Sequence, residues 1–133
     1  MKIKKNDINC SLEKSESKSC QVNETFGETF SRVLEQIYIE AIPEIDKAIA
    51  KELALIITEV YRLRPNDSVK IDNAVHRAAD VAEIFSMISK EHIETVIRKN
   101  DERKYPVKYR KAYLRTLLYN SVFEYSSEKI EDM

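Results

Sequence analysis

Apolar residues recur at spacings of three and four in five stretches of the chain, with polar residues between them. This repeat is typical of an α-helix that buries one face, so it predicts five amphipathic helices. The first helix is expected to begin at an N-cap, Asn23, and to end before Pro43. The second is expected to begin at Pro43 and to stop at Arg64. The core-facing residues of these two helices are predicted to be Phe26, Phe30, Val33, Leu34, Ile37, Tyr38, Ala41, Ile45, Ala48, Ile49, Leu53, Ile56, Ile57, Val60 and Tyr61.

The second half of the chain predicts a loop and three further helices. Residues 65–68 (PNDS) have loop composition, and residues 69–71 are expected to be briefly extended. Asp72 and Ser89 are predicted to cap the third and fourth helices, and Pro106 to open the fifth. Their core-facing residues are predicted to be Val75, Ala78, Ala79, Ala82, Phe85, Ile88, Ile93, Val96, Ile97, Tyr113, Leu114, Leu117 and Leu118.

Composition agrees with a helical fold class. The chain has one Gly and three Pro in 133 residues, which argues against a turn-rich β fold. We therefore expect an all-α fold, a compact bundle of about five helices in residues 24–125. Residues 1–23 are polar and predict a disordered tail or linker, and residues 126–133 predict a frayed acidic tail.

Targeting signals and membrane spans are missing from the sequence pattern. No apolar run approaches the roughly 18 residues of a membrane span, and no apolar segment follows the basic start of the chain. The sequence thus predicts a cytoplasmic protein that does not associate with membranes. Cys10 and Cys20 lie in the polar tail without further ligands nearby, so they are expected to be reduced thiols.

Candidate catalytic groups are scarce. A single Gly excludes a glycine-rich phosphate loop. His76 and His92 fall on different predicted helices without the spacing of a metal pair, and His92 is expected to be a packing or capping residue. The acidic residues are typical of solvated helix faces. We therefore expect no enzymatic activity, no catalytic residue, no metal site and no cofactor.

Charge is unevenly distributed along the chain, although the net charge is only −1. Residues 98–115 contain eight Lys or Arg and two acids, whereas residues 24–59 contain eight acids and three bases, which predicts a polarised molecule. In a helix, Lys108, Lys111 and Arg115 would share one face. Tyr105 and Tyr109 lie among the basic residues, where they would either stack on unpaired bases or pack beneath lysine side chains. The candidate nucleic-acid-binding residues are Arg98, Lys99, Arg103, Lys104, Lys108, Lys111 and Arg115; a solvated basic face is the alternative.

Three stretches carry a resemblance to a known family. They are residues 53–61 (LALIITEVY) with 69–71 (VKI), residues 84–96 (IFSMISKEHIETV) and residues 111–120 (KAYLRTLLYN). In order and spacing, residues 52–121 resemble the C-terminal, DnaD-like domain of RepA-type replication initiators from plasmids of Gram-positive bacteria. The family's Tyr-x-x-x-Ile-x-x-x-Trp ending falls on Tyr113, Leu117 and Ser121. The third residue of the pattern, which is aromatic in the family, is therefore a serine here.

The resemblance implies a role in DNA replication for this part of the chain. Such a domain would dock host replication proteins, namely primase or the helicase-loader assembly, and would contact DNA non-specifically. The resemblance does not imply origin recognition, which belongs to a winged-helix domain that this sequence does not match. Two alternatives stay open: a structural or homo-oligomerising helical domain without DNA binding, and a small regulator such as an antitoxin or phage accessory factor.

Overall fold

A computed structural model describes the backbone of residues 24–132 and the side chains of residues 24–124; the predicted N-terminal tail, with Cys10 and Cys20, lies outside this range. Within residues 24–132, the prediction of a compact, mainly helical fold with five helices is confirmed, with the addition of a small antiparallel sheet of two strands. The elements are α1 (Phe26–Gln36), α2 (Lys47–Tyr61), β1 (Ser68–Ile71), β2 (Ala74–Arg77), α3 (Ala78–Phe85), α4 (Lys90–Glu102) and α5 (Arg110–Asp132).

The N-terminus of α1 is capped by Thr25, and the prediction of Asn23 as N-cap was wrong. The Thr25 hydroxyl accepts a hydrogen bond from the Glu28 N–H (3.1 Å), and the Glu28 carboxylate accepts one from the Thr25 N–H (2.9 Å). This reciprocal capping box satisfies two backbone donors that the first turn of a helix leaves open. Helix α1 therefore begins at Phe26.

The predicted junction at Pro43 was also wrong, because α1 ends at Gln36, seven residues before Pro43. Tyr38 has a left-handed backbone (φ 54°), and the chain then makes two short 3-10 turns, Ile39–Ala41 and Glu44–Asp46, before α2 begins. The irregular path brings Ile42 into the core, where it is 2% exposed. A continuous α-helix up to Pro43 would not allow this change of direction.

A β-hairpin replaces the predicted start of the third helix. Residues 69–71 are extended as expected, but Ala74–Arg77 is strand β2 and pairs with β1, from Ser68 opposite Arg77 to Ile71 opposite Ala74. The two residues between the strands, Asp72 and Asn73, both have positive φ (50° and 74°). Such a two-residue turn matches the twist of paired strands, and Asp and Asn tolerate its left-handed backbone. Asp72 is thus a turn residue and not a helix cap.

The ends of the remaining helices agree with the sequence in part. Ser89 caps α4 as predicted, but α3 begins only at Ala78. Helix α5 begins at Arg110 and not at Pro106, and its backbone continues to Asp132, past the predicted end near Tyr125. The connection between α4 and α5 is therefore residues 103–109, which includes Lys108.

Helix α2 is the centre of the fold and packs against α1, α3, α4 and α5. Six residues predicted for the core are exposed instead: Phe26, Tyr38, Ala41, Ile45, Ala48 and Val75. No helix within residues 24–132 is long and apolar enough to cross a membrane. The core is formed by Val33, Ile37, Ile42, Ala50, Leu53, Ala54, Ile56, Ile57, Val60, Val69, Ile71, Ala78, Val81, Phe85, Ile88, Ile93, Val96, Ile97, Leu114, Leu118 and Val122.

Candidate nucleic-acid interface

The connection between α4 and α5 presents two tyrosines to solvent. Tyr105 is 79% exposed and Tyr109 is 67% exposed. The ammonium group of Lys108 lies 5.3 Å from the centroid of the Tyr109 ring. Cations and the faces of exposed aromatic rings thus alternate along one short segment, which is the combination that stacks on bases and contacts phosphates in proteins that bind single strands.

Arg103 holds this connection in place. Its Nε donates to Asn100 Oδ1 (3.1 Å) and its Nη1 donates to the backbone carbonyl of Tyr105 (2.8 Å). The guanidinium carbon also lies 5.7 Å from the centroid of the Tyr113 ring, which is half-buried at the start of α5. Arg103 therefore joins the end of α4, the connection and α5, and it restricts the backbone next to Tyr105.

Among residues 24–124, five of the predicted cations have no carboxylate partner, and two of these, Arg103 and Arg115, donate to amide or backbone oxygens instead. Arg98, Lys104 and Lys108 are exposed, and among residues 24–124 no carboxylate lies within ion-pair distance of them. Asp101 and Glu102 are exposed on the last turn of α4 and reduce the local positive charge. We call Arg98, Lys104, Lys108, Tyr105 and Tyr109 the α4–α5 surface.

Other cations of the same region are neutralised by acids from elsewhere in the fold. Lys99 pairs with Glu124 on α5, and Lys111 Nζ lies 3.1 Å from Glu59 Oε1 on α2. The guanidinium of Arg110 donates two hydrogen bonds to the carboxylate of Glu52, at 2.7 and 2.9 Å.

The Arg110–Glu52 contact also affects ionisation. It lowers the pKa of the Glu52 carboxyl and raises the pKa of Arg110, because each charge stabilises the other. The acidic face of α2 thus lies against the basic face of α5. The prediction of a polarised molecule was therefore wrong for these two helices, whose opposite charges meet in the fold.

Lys111 and Arg115 lie apart from Lys108, so the predicted single basic stripe is divided. Lys108 precedes α5 and does not follow its helical repeat. Arg115 Nε donates to the backbone carbonyl of Lys70 (3.3 Å), which directs this side chain toward β1. Together with Lys111 and Glu59 it lines a shallow groove of about 260 Å³ between α2, β1 and α5.

Residues 98–115 keep a positive charge after their ion pairs are counted. The segment contains eight cations and two acids, and three carboxylates from outside it form the ion pairs with Lys99, Arg110 and Lys111. The excess that remains is three positive charges. Of the cations in this segment without a carboxylate partner, Arg98, Arg103, Lys104 and Lys108 lie on the second half of α4 or in the α4–α5 connection, whereas Arg115 lies on α5 beside β1.

The two residues taken from the family ending are packing residues. Tyr113 and Leu117 are half-buried and pack against the core, next to the fully buried Leu114 and Leu118. The two histidines also have local contacts: His76 lies 5.3 Å from the ring of Tyr119, and His92 Nδ1 accepts a hydrogen bond from the Ser89 N–H (2.9 Å).

Sequence reasoning missed the role of Arg110. This residue belongs to the same basic run, but its partner Glu52 is 58 positions away, and no local spacing predicts that contact. Within the described part of the chain, no three His, Cys, Asp or Glu side chains are grouped so that they could hold a metal ion. Comparisons with protein families, with curated proteins and with solved structures gave no match to this chain.

Proposed function

We propose that this chain is an adaptor module of DNA replication that contacts nucleic acid through its α4–α5 surface. The observation that carries the proposal is the set of exposed cations without carboxylate partners, Arg98 on α4 and Lys104 and Lys108 in the connection, where each of the two lysines directly precedes a tyrosine that is mostly exposed. Cations without acidic partners are available to phosphates, whereas those in ion pairs must first break a contact. The binding would be independent of sequence, because no group here is arranged to distinguish base edges.

Single-stranded nucleic acid is the preferred ligand in this proposal. Tyr105 and Tyr109 present ring faces that a base can stack on only when it is unpaired. Arg103 donates to the backbone carbonyl of Tyr105 and limits the motion of the chain at this residue, which lowers the entropy lost on binding. Unpaired strands are also what a replication adaptor meets when the duplex opens.

The replication part of the proposal is supported by the resemblance of residues 52–121 to the DnaD-like domain of plasmid initiators. In this proposal the chain links nucleic acid to a host replication protein, either primase or the helicase-loader assembly. Sedimentation of the chain with each purified host protein tests this part. We expect one of them to co-sediment with the chain in a 1:1 complex; a failure of both would remove the adaptor role and leave nucleic-acid binding.

The binding itself is tested by fluorescence anisotropy with a labelled single-stranded oligonucleotide and with its duplex, over a series of salt concentrations. Three phosphate contacts predict that log K falls with log salt with a slope of about −2 on single strands. Replacing Tyr105 and Tyr109 by Ala should weaken single-strand binding by about 1–3 kcal/mol for each base that stacks. The same pair of substitutions should change duplex binding little.

A charge-matched comparison locates the surface. The double variant Lys104→Glu, Lys108→Glu should lose single-strand binding at moderate salt. The control Lys51→Glu, Lys70→Glu makes the same change of charge at two exposed lysines outside the α4–α5 surface, and it should bind nearly as well as the parent chain. Equal loss in the two variants would mean that only net charge matters, and no binding by the parent chain at low salt would disprove the nucleic-acid role.

A homo-oligomerising domain is the second candidate. It is favoured by two apolar side chains in the connection between α1 and α2: Ile45 is 89% exposed and Tyr38 is 65% exposed. Sedimentation equilibrium of the parent chain and of Ile45→Lys tests it. A dimer that Ile45→Lys dissociates would support this candidate, and a monomer at high concentration would exclude it.

A further inference from the structure

A second concave surface lies away from the α4–α5 surface, where the start of α1 meets the ends of α2 and α3. It is a cavity of about 600 Å³, within the size range of small-molecule sites. Three arginines line it, Arg32 from α1 and Arg62 and Arg64 from the segment after α2. The carboxylate-bearing residue among its lining residues is Glu24, which immediately precedes the capping residue of α1.

The Glu24 carboxylate is bound in this cavity as an external anion would be. Arg32 donates to it from Nε and from Nη2, both at 2.8 Å, and the Thr29 hydroxyl donates to it at 2.9 Å. These contacts, chiefly the hydrogen bond from Arg32, lower the pKa of Glu24 to about 2. Arg62 donates to the Glu24 backbone carbonyl at 2.7 Å. A forked guanidinium with a hydroxyl is a donor set that fits phosphate as well as carboxylate.

The floor of the cavity is rigid and gives no donor of its own. The Gln36 amide donates to the carbonyls of Phe85 and Ile88, each at 2.9 Å, and its oxygen accepts a hydrogen bond from the Tyr61 hydroxyl, also at 2.9 Å. Both amide hydrogens of Gln36 and the hydroxyl hydrogen of Tyr61 are therefore donated within the fold. Only acceptor positions remain on these two side chains. An anion in the cavity would therefore be bound by the guanidinium groups and the Thr29 hydroxyl.

The charges around the cavity are not balanced. Three guanidinium groups face one carboxylate, which leaves an excess of two positive charges. Among residues 24–124, the Arg64 side chain has no hydrogen-bond or ion-pair partner; Asp67 accepts a hydrogen bond from the backbone N–H of Arg64 and not from its side chain. A phosphoryl group carries about 1.5 to 2 negative charges at neutral pH, and this amount matches the excess.

We propose that this cavity binds a phosphoryl group, and that Glu24 is its internal competitor. Arg32 and Arg64 hold the phosphoryl oxygens, and the Glu24 carboxylate leaves Arg32 when the ligand enters. The site is separate from the α4–α5 surface, so the two proposals fail or succeed independently. The competing carboxylate also means that changes at Glu24 and at the arginines affect binding in opposite directions.

The experiment is an isothermal titration with pyrophosphate as the probe. Glu24→Gln keeps the size of the side chain but removes its charge, and it should bind pyrophosphate roughly tenfold more tightly than the parent chain, since one charge-assisted contact no longer competes. Arg64→Ala removes a side chain that has no hydrogen bond or ion pair within residues 24–124, and in the Glu24→Gln background it should weaken pyrophosphate binding by about the same factor. Arg77→Ala serves as the matched control, because Arg77 is an exposed arginine that pairs with Asp80 outside the cavity.

Three results would overturn the proposal. They are the absence of pyrophosphate binding to Glu24→Gln at millimolar concentration, equal affinity of Glu24→Gln and the parent chain, and an equal effect of Arg64→Ala and Arg77→Ala. Circular dichroism of each variant shows whether the fold is retained.

A parallel titration with a short oligonucleotide, with and without a 5′-phosphate, identifies the source of the phosphoryl group. Binding that depends on the 5′-phosphate and that Arg64→Ala removes assigns the phosphoryl group to a strand end. Binding that does not depend on the 5′-phosphate assigns it to a free small molecule.

Discussion

At the scale of single residues, His92 takes the third position of α4, where a capping box usually has Glu or Gln. His92 is 7% exposed, and its Nδ1 accepts the hydrogen bond from the Ser89 backbone N–H. A nitrogen that accepts this bond cannot also carry a proton. Burial also disfavours the charged imidazolium and lowers the pKa of His92 below its usual 6.5, although the nearby Glu91 acts in the opposite direction.

The stability of the fold should therefore decrease as the pH falls below about 6.5. Because the pKa of His92 is lower in the folded chain than in the unfolded chain, the unfolded chain binds the proton more readily. The contribution of His92 to the free energy of unfolding is therefore complete above pH 6.5 and is lost as the pH falls toward the lower folded pKa. Thermal unfolding between pH 7.5 and pH 5 measures it.

Two substitutions separate His92 from the other histidine in this experiment. His92→Gln keeps a neutral acceptor for Ser89 and should flatten the profile over this interval. His76→Gln, at the other histidine of the chain, should leave the profile unchanged. A profile for His92→Gln as steep as that of the parent chain would contradict this assignment.

At the scale of elements, the β-hairpin depends on two residues with a left-handed backbone and on one contact with α5. The Asp72 N–H donates to the Thr116 hydroxyl on α5 at 3.2 Å, so the turn is attached to the helix beside it. Val69 and Ile71 of β1 are buried, whereas Val75 of β2 is 70% exposed. The hairpin is thus attached to the core through β1 and its turn.

Asn73→Gly should stabilise the protein by about 0.5–1 kcal/mol, because Gly adopts a φ of 74° without the steric cost that a side chain has. Asn73→Ala should destabilise it by about 1 kcal/mol, since Ala tolerates the left-handed region less well than Asn. Urea unfolding measures both. Asn66→Gly is the control, at an exposed loop position without positive φ, where no stabilisation is expected. The same gain at Asn66 and Asn73 would mean that the turn geometry is irrelevant.

The hairpin also shows why element boundaries were only partly predictable. Val75, Ala78, Ala79 and Ala82 follow a helical repeat, and that repeat hides a strand of four residues. Helix identity was predictable, because apolar stripes extend over many residues. The capping box at Thr25 and Glu28 is a local sequence pattern, so the start of α1 is predictable from the sequence.

The candidate interface was predictable as a region and not as a set of residues. The basic composition of residues 98–115 is a property of the sequence, and so are the tyrosines within it. Which cations remain unpaired depends on Glu52, Glu59 and Glu124, and only the packing of α5 against α2 and α4 brings these acids to their partners. Ion pairs between residues so far apart in the chain cannot be predicted from the local spacing of charged residues.

At the scale of the whole molecule, the packing of α5 against the rest of the fold combines buried apolar side chains with exposed ion pairs. Leu118 is fully buried, whereas the Arg110 and Glu52 side chains are 44% and 37% exposed. A buried Leu contributes more than an ion pair in contact with water, because solvent already satisfies exposed charges. The core, and not the charge contacts, should therefore hold α5 in place.

Leu118→Ala should lower the free energy of unfolding by about 2–5 kcal/mol. Arg110→Gln should lower it by about 1 kcal/mol or less. Chemical denaturation of the two variants, followed by circular dichroism, compares them directly. A larger loss for Arg110→Gln than for Leu118→Ala would contradict this account and would assign the position of α5 to electrostatics.

The residues with a left-handed backbone have a consequence for thermostability. In the described part of the chain, the positive φ values belong to Tyr38, Asp72 and Asn73, while Gly27, the single glycine of the chain, lies within α1. A Cβ atom at Gly27 would meet nothing within 4 Å, so this helical position favours Ala, and the position after α1 that Tyr38 occupies is one that usually favours Gly. The fold thus forms without the residue types that its backbone prefers at these positions. A heat-resistant form is reachable by substitutions on the outside of the molecule, with the core and both candidate binding surfaces left as they are.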